Sequence, residues 1–354
     1  PLKIKSVTIS GFRCFGKPVE VNLAAPMTAI VGANGSGKTA LLQAISKLFG
    51  ITRAQRTVNR SDFYVPPSED PAERKPRSMY IDVIIALPEL EDGSAKAETV
   101  APTFRFLTIP GTNKTPVCRM RLEAAWVDDG TVDGEVTQRL DWISTLGEIS
   151  DEHRNPVLPS ARGLIQLHYT PASRDAASQI RASTGALAAR LLSAIDWSKS
   201  TKEKVLAASK DMQNAFSDET AISSIVDALA SRWSNLNADA RDAQPALVLT
   251  SRKFEEIVRS VGVVFQRGQE RFERGLETLS DGQQSLFYFA LAAAVFDVER
   301  NASAKQVEGF HDDRLTTPAL TIFAVEEPEN HLSPFYLARI IEQLRSLMKG
   351  NSSQ

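Results

Sequence analysis

Three clusters of residues in this chain have the types and spacing for phosphate chemistry. Gly32-Ala33-Asn34-Gly35-Ser36-Gly37-Lys38-Thr39 follows the pattern G-x-x-x-x-G-K-[ST], between an apolar run and a helical pattern. Glycines let such a loop curl, so that backbone N–H groups from Asn34 to Ala40 and the helix N-terminus face an anion. Lys38 adds a positive charge for the β- and γ-phosphates, and Thr39 a hydroxyl for Mg²⁺. Near the other end, Thr321-Ile322-Phe323-Ala324-Val325 is an apolar strand pattern ending in two carboxylates, Glu326 and Glu327. A parallel sheet would present them at its C-terminal edge, where ligands bind. There Glu326 would join the Mg²⁺ shell, since this hard cation takes carboxylates and water. Glu327 would polarise the attacking water as general base. In the third cluster, Leu279-Ser280-Asp281-Gly282-Gln283, Ser280 reads as an N-cap with an acidic first turn, and hence as a helix start able to bind an anion.

The elements that must position these residues read as α/β. Residues 4–9 and 19–23 alternate like strands, and Met27 to Val31 reads as a strand entering the glycine loop, with a helix from about Gly37 to Phe49 after it. A polar, proline-spotted stretch from Thr52 to Arg77 reads as a surface loop. β-like runs follow at Met79 to Ile85, Thr103 to Ile109, Val117 to Trp126 and Leu164 to Tyr169, taken together as an antiparallel lobe. From about Ser173 to Ala240 the period becomes helical, with Ile180, Leu187, Leu191 and Ile195 on one stripe and Ile222, Ile225, Leu229 and Trp233 on another. Ser200-Thr201-Lys202-Glu203 is a capping-box pattern between them. The α/β pattern resumes at Leu247 to Leu249 and Val261 to Phe265. It continues in a helix from about Gly282 to Glu299, the strand Ala319 to Val325, and a helix from Ser333 or Pro334 to Met348. The expected fold is an α/β P-loop head, a mixed sheet with an antiparallel β lobe, formed by 1–171 and 245–354 around a helical insertion at 172–244.

Composition narrows the function classes. The 354 residues suffice for one large domain with an insertion or for two domains. Hydrophobic residues at 42% and charged residues at 24% match ordinary globular chains, which argues against long disorder and fibrous structure. The longest apolar runs, such as Ile81 to Leu87, fall well short of the roughly 20 residues of a membrane-spanning helix. The first five residues lack the apolar core of a secretory signal, so no membrane partner and a cytoplasmic location are expected. A net charge of −2 gives no global basic field, so any DNA contact must be local. The two cysteines, Cys14 and Cys118, stand in strand-like apolar contexts without metal-type pairing and read as reduced thiols.

With these clusters in order, Leu279 to Gln283 looks like the L-S-G-G-Q signature of ABC ATPases, one substitution removed. The chain resembles the ATPase region of the OLD (overcoming lysogenisation defect) family, relatives of the recombination and chromosome-maintenance ABC ATPases. The resemblance rests on Ser10-Gly11-Phe12-Arg13-Cys14-Phe15, Asp62-Phe63-Tyr64-Val65-Pro66, Ser280-Asp281-Gly282-Gln283-Gln284-Ser285-Leu286-Phe287 and Glu326-Glu327-Pro328-Glu329-Asn330-His331-Leu332-Ser333-Pro334.

That resemblance implies a head that binds and hydrolyses Mg-ATP as a homodimer. Ser280, Gly282 and Gln283 of one copy would meet the γ-phosphate held by the other, and the inserted helices would add dimer contacts. It also implies a following Toprim nuclease domain acting on DNA, in phage defence or DNA repair. Neither the carboxylate clusters of a Toprim domain nor a strand with a switch histidine is visible, His331 being too near Glu327. The expectation is an ATPase-region fragment of a longer protein. By resemblance alone, Asp62 stands at the place of the Q-loop glutamine and is assigned to the metal shell, and Ser333 stands where an aspartate is common. Arg13 is either a phosphate contact or a surface arginine. Two other readings stay open, a regulatory ATP-binding module and a DNA repair ATPase of the recombination or chromosome-maintenance kind without a nuclease. A membrane-transport ATPase is disfavoured by the helical insertion and the E-E-P-E-N-H string.

Overall fold

Alternation of apolar residues organises the N-terminal strands into one antiparallel sheet. The computed structural model describes residues 2–23, 26–70, 74–90, 102–111, 115–172, 176–236, 245–251, 253–267, 272–311, 318–327, 334–348 and 353–354. In β1 (Lys3–Ser10), Ile4, Val7 and Ile9 are all buried, because a register shift between Ile4 and Ser6 restores the apolar set to one side. β1 pairs with β2 (Val19–Asn22) on one side and β3 (Arg77–Ala86) on the other. Beyond β3 lie the short β4 (Ile109–Pro110) and the long β5 (Pro116–Val127), which pairs with both, then β6 (Glu135–Ile143) and β7 (Arg154–Pro156). Met120, Leu122, Ala124 and Trp126 of β5 alternate into the core with Ile81, Val83 and Ile85 of β3.

Against this core packs α1 (Lys38–Phe49), which buries Leu41, Ala44, Ile45, Leu48 and Phe49. Its C-terminal carbonyls do not stay open. Arg162, on the single turn α4 (Pro159–Arg162), donates to the carbonyls of Lys47 (3.0 Å) and Leu48 (3.1 Å). Two further short helices are α2 (Arg53–Arg56), which follows α1 and is opened by a Thr52–Gln55 capping box, and α3 (Pro102–Phe106), between β3 and β4 in the chain. Next comes β8 (Ile165–Thr170), to which Gly50 at the end of α1 is bridged through Leu167.

The chain divides into two compact units, one of residues 1–186, 277–300 and 316–354, the other of 187–276 and 301–315. The first boundary falls inside α5 (Ala176–Ala194). The second unit contains α6 (Lys199–Ser217), α7 (Thr220–Leu236), α8 (Phe254–Arg259) and a hairpin of β9 (Val264–Arg267) with β10 (Phe272–Gly275). Trp197 packs edge-on against Phe254, with ring centroids 5.4 Å apart. Ile225, Leu229 and Trp233 of α7 remain exposed, at 53%, 44% and 39%.

α9 (Asp281–Ser303), which belongs to the first unit up to Arg300, precedes β11 (Leu320–Val325), and α10 (Pro334–Met348) follows it. β11 pairs in parallel with β8, Leu320 opposite Ile165 through Val325 opposite Thr170. Leu320, Ile322 and Ala324 belong to the main core, whereas Phe323 and Val325 pack with Phe289 and Phe296 of α9 and Leu347 of α10. Ser353 bridges Thr321 in parallel, and the Gln354 side chain accepts from Ile4 N (2.8 Å) and donates to Ile4 O (3.1 Å). No helix among the described residues is long and apolar enough to cross a membrane.

The α/β class agrees with the sequence; several elements do not. Thr103 to Ile109, expected as a strand, is mostly α3, because Pro102 is preset for the first helical position and Phe104 turns inward to meet Trp142 edge-on at 5.8 Å. Residues 27–31 are irregular rather than a strand; Ile30 packs on the core but Val31 is 92% exposed, and no ladder partner is present among the described residues. Leu164 to Tyr169 pairs in parallel with β11 and so lies outside the antiparallel lobe. Leu247 to Leu249 is irregular because Gln213 of α6 satisfies its backbone, accepting from Leu249 N and donating to Leu247 O. The strand expected at Val261 begins only at Val264. The cap of α6 is Ser198, whose hydroxyl accepts from Thr201 N, rather than the Ser200 box. Thr52 to Arg77 is not simply surface, since Val58, Asp62 and Phe63 are buried. β6 escaped notice because its apolar residues are interleaved with Arg139 and Asp141, which form an ion pair. Cys118 is buried in β5 as expected, but Cys14 is exposed in a turn. The compact second unit starts later and extends further than 172–244, since α8 and the β9–β10 hairpin belong to it. The stretch Pro328 to Ser333, including His331, lies outside the described residues.

Arg162→Ala should lower the unfolding free energy by about 1.5–3 kcal/mol, the typical worth of hydrogen bonds from a charged donor. Urea denaturation read by circular dichroism measures it; an unchanged midpoint would show that water serves the α1 carbonyls equally well.

Candidate functional site

The glycine loop owes its curl to two left-handed glycines, Gly35 at φ 81° and Gly37 at φ 98°. Gly37 is also tightly enclosed, because a Cβ there would lie 3.0 Å from Cys14 Sγ and 3.1 Å from Phe15 Cζ. The turn at Arg13 to Phe15 is thereby seated against the start of α1. That start has no side-chain cap, so its first amides remain available to an anion. Residues 31–36 are exposed, Gly37 to Thr39 half-buried and Ala40 buried. Lys38 Nζ donates to the loop's own carbonyls, Gly32 O at 2.7 Å and Ala33 O at 3.0 Å. It is a cation held over the loop by neutral acceptors, which phosphate oxygens would outcompete through charge.

Thr39 and Glu326 are brought together from opposite ends of the chain: Thr39 Oγ1 donates to Glu326 Oε1. The glutamate continues the β11 direction, its N–H donating to Thr170 O at 3.0 Å. Its other oxygen, Oε2, accepts from Tyr169 Oη at 2.6 Å and from Ala172 N at 3.4 Å. Burial, and then the bond to Glu326, push the Tyr169 phenol above its ordinary range, so it stays a donor. Glu327 follows at φ 42°, a left-handed conformation that a glutamate adopts rarely and at some energetic cost. A hydroxyl and a carboxylate in contact form an oxygen donor set suited to Mg²⁺, which needs few protein ligands because it keeps waters and takes phosphate oxygens. Among the described residues, no group of three or more His, Cys, Asp or Glu that could hold a metal ion occurs.

Asp62 was expected in the metal shell; the structure gives it other work. Its Oδ1 accepts from Arg13 Nη2 (2.8 Å) and Nε (3.2 Å), and its Oδ2 from Lys47 Nζ (2.6 Å) and Asn59 N (3.0 Å). Both oxygens are filled and the side chain is buried, leaving no lone pair for a cation. Burial by itself would raise the Asp62 pKa, but the bonds and charges of Lys47, Asn59 and Arg13 hold it below the usual carboxylate value. Arg13, exposed and at φ 47°, is anchored here by its two bonds to Asp62. It is therefore not a free surface arginine.

Ser280 and Gln283 form a reciprocal cap at the start of α9: Gln283 N donates to Ser280 Oγ (3.4 Å), and Ser280 N to Gln283 Oε1 (3.1 Å). Both side chains are exposed while Gly282 is buried. Gln284, also buried, ties the turn down by donating to Leu279 O at 2.9 Å. Among the described residues the cap makes no hydrogen bond to the glycine loop; its bonds are local to the start of α9. Two sizeable hollows lie elsewhere, one of about 860 Å³ near Arg60 and Trp126 and one of about 410 Å³ over β1, β3 and β5. Sequence reasoning missed Tyr169 and Lys47. Tyr169 lay at the end of an apolar run and Lys47 inside a helix, and nothing local distinguishes them.

Two family profiles match the chain. The profile described as "AAA domain" covers residues 6–121, and that described as "AAA domain, putative AbiEii toxin, Type IV TA system" covers residues 172–354, more than half of the chain. Two chromosome partition proteins Smc are similar over short segments. The one from Halothermothrix orenii is 45% identical over 47 residues, 13% of this chain and 4% of that protein. The one from Lactiplantibacillus plantarum is 36% identical over 80 residues, 22% of this chain and 6% of that protein. Among solved structures, an Smc head domain with an extended coiled coil from Pyrococcus furiosus, bound to the C-terminal domain of ScpA, aligns over 100% of this chain and 89% of its own. It does so at 14% identity and a TM-score of 0.42, a likeness too loose to bear on mechanism.

Asp62→Asn leaves Lys47 buried with an uncompensated charge and should lower stability by about 3 kcal/mol. Because the folded pKa of Asp62 is depressed, its contribution is present at neutral pH and is lost as the pH falls through that folded value. The acid limb of a stability-against-pH curve should accordingly be shallower in Asp62→Asn; parallel acid limbs would refute the pair's role.

Proposed function

This chain belongs to the AAA domain family and is a P-loop ATPase of the ABC type, and from that premise we propose that two copies sandwich Mg-ATP and hydrolyse it at their shared face. The observation that carries the reading is the Thr39–Glu326 contact, which joins the glycine loop and the carboxylate strand in one core. Thr39 and Glu326 would hold Mg²⁺, which when bound neutralises charge on the phosphates. Lys38 exchanges the Gly32 and Ala33 carbonyls for phosphate oxygens, and the uncapped first turn of α1 supplies N–H donors. Glu327, one residue past the strand, takes the proton of the attacking water. Arg13 has further N–H groups beyond the two on Asp62 and contacts a phosphate with them.

Dimerisation is supported by what one copy lacks. An exposed glycine loop covers a nucleotide from one side only, and among the described residues the Ser280–Gln283 cap of the same chain makes no hydrogen bond to it. In the sandwich, Ser280, Gly282 and Gln283 of the second copy close the other side, and the exposed Ile225, Leu229 and Trp233 of α7 extend the interface.

For the process served, the first reading is that of the OLD family, an ATPase head regulating a DNA-processing Toprim nuclease in phage defence or DNA repair. The family description, which names a toxin of a type IV toxin–antitoxin system, favours a defence role. The second reading, a DNA repair or chromosome-maintenance ATPase with no nuclease, is favoured by the matches to two chromosome partition proteins Smc. Strand cleavage by the full-length protein with ATP and DNA would support the first; DNA-stimulated hydrolysis without cleavage would support the second.

Lys38→Ala should weaken ATP binding about tenfold to a hundredfold, equivalent to about 1.5–3 kcal/mol of charged hydrogen bonding. Glu327→Gln should slow hydrolysis by about a hundredfold or more and accumulate ATP-bound dimers by light scattering. Ser280→Arg should abolish hydrolysis while monomers still bind nucleotide. Normal turnover in that variant would sink the sandwich.

A further inference from the structure

Glu326 contacts the hydroxyl expected to share its metal, and it does so with only one of its two oxygens. A glutamate at a strand end has three side-chain torsions to settle, so its carboxylate presents a defined face only if something fixes the other oxygen. That something is Tyr169. The two strands run in parallel with Tyr169 opposite Ala324, two residues before Glu326, so the long tyrosine side chain spans the offset toward the end of β11. Its ring is buried in the main core, and its hydroxyl meets Glu326 Oε2 at 2.6 Å, the short distance of a charge-assisted bond. Ala172 N at 3.4 Å is a weaker second donor on the same oxygen. With Oε2 held, Oε1 is left facing Thr39.

We propose that Tyr169 is a positioning residue that fixes the Glu326 carboxylate so that a single oxygen is presented beside Thr39 for a divalent cation. The proposal rests on the Mg-ATP reading above and adds to it a residue that touches neither metal nor nucleotide. Partners standing behind metal ligands typically contribute about 10–100-fold in metal affinity. The loss of Tyr169 should therefore appear in the part of nucleotide binding that depends on the cation, and not in the part made by Lys38 and the glycine loop.

The test is equilibrium binding of ATP to the whole chain, with Mg²⁺ and with EDTA, for wild type and Tyr169→Phe, which keeps the ring in the core. The expected result is that affinity in EDTA stays within about twofold, while the gain produced by Mg²⁺ falls by about tenfold, at the lower end of that range. In a Glu326→Gln background, Tyr169→Phe should change the Mg²⁺-driven gain no further. A full Mg²⁺ gain in Tyr169→Phe overturns the proposal. So does an equal loss with and without Mg²⁺, which is what mere loosening of the core would give, and so does a further loss in the Glu326→Gln background. If the wild type itself shows no Mg²⁺-dependent ATP binding, the Mg-ATP reading fails and this one with it, an outcome distinct from the other three.

Discussion

The contact between Thr39 and Glu326 is the constraint on which the rest of the first unit depends. The two residues are 287 positions apart, and neither element that carries them has a reason of its own to meet the other. They meet because α1 and the β8–β11 pair bury their apolar faces in the same core: Leu41, Ala44 and Leu48 from the helix, Leu167 and Tyr169 from β8, and Leu320, Ile322 and Ala324 from β11. A bond between a hydroxyl and a carboxylate adds little to such burial, about 1.5–3 kcal/mol at most for a charged acceptor. Its value is positional. The core fixes the backbones, and the short polar contact registers the two motifs at the edge where both run out into solvent.

Around that contact, the carboxylates of Asp62 and Glu326 are each engaged at both oxygens. Asp62 collects Arg13, Lys47 and a backbone N–H, and in doing so fixes the turn at Arg13 against Gly37. A buried carboxylate with two cations is costly to assemble and costlier to break, so its benefit is specificity of placement more than net stability. Tyr169 performs the same task on Glu326 with a neutral donor. Phe289 and Phe296 of α9 close on Phe323 of β11 with ring centroids 6.1 and 5.9 Å away, so the helix that begins at the Ser280 cap is anchored on the carboxylate strand. The signature end of that helix is left at the surface.

The sequence itself made the curl of the glycine loop and the class of the fold legible. Gly35, Gly37, Lys38 and Thr39 are legible because their roles need residue types that almost nothing else can supply: φ above zero, a mobile cation, a hydroxyl at a helix start. The same holds for Ser280 with Gln283, a local cap whose partners lie three residues apart. The long helices α9 and α10 and the strands β3, β5 and β11 were legible because their apolar periods extend over many residues. Short pieces were not. Met27 to Val31 and Leu247 to Leu249 have strand composition, but a strand exists only where another backbone offers its N–H and C=O groups, and Gln213 offers Leu247 to Leu249 a side chain instead. Tertiary structure decided everything that depends on residues far apart in sequence. It made Asp62 an ion-pair centre rather than a metal ligand and set β8 parallel to β11. It also put Tyr169 behind Glu326, because which distant groups share a buried site follows from how apolar faces pack and not from any local pattern.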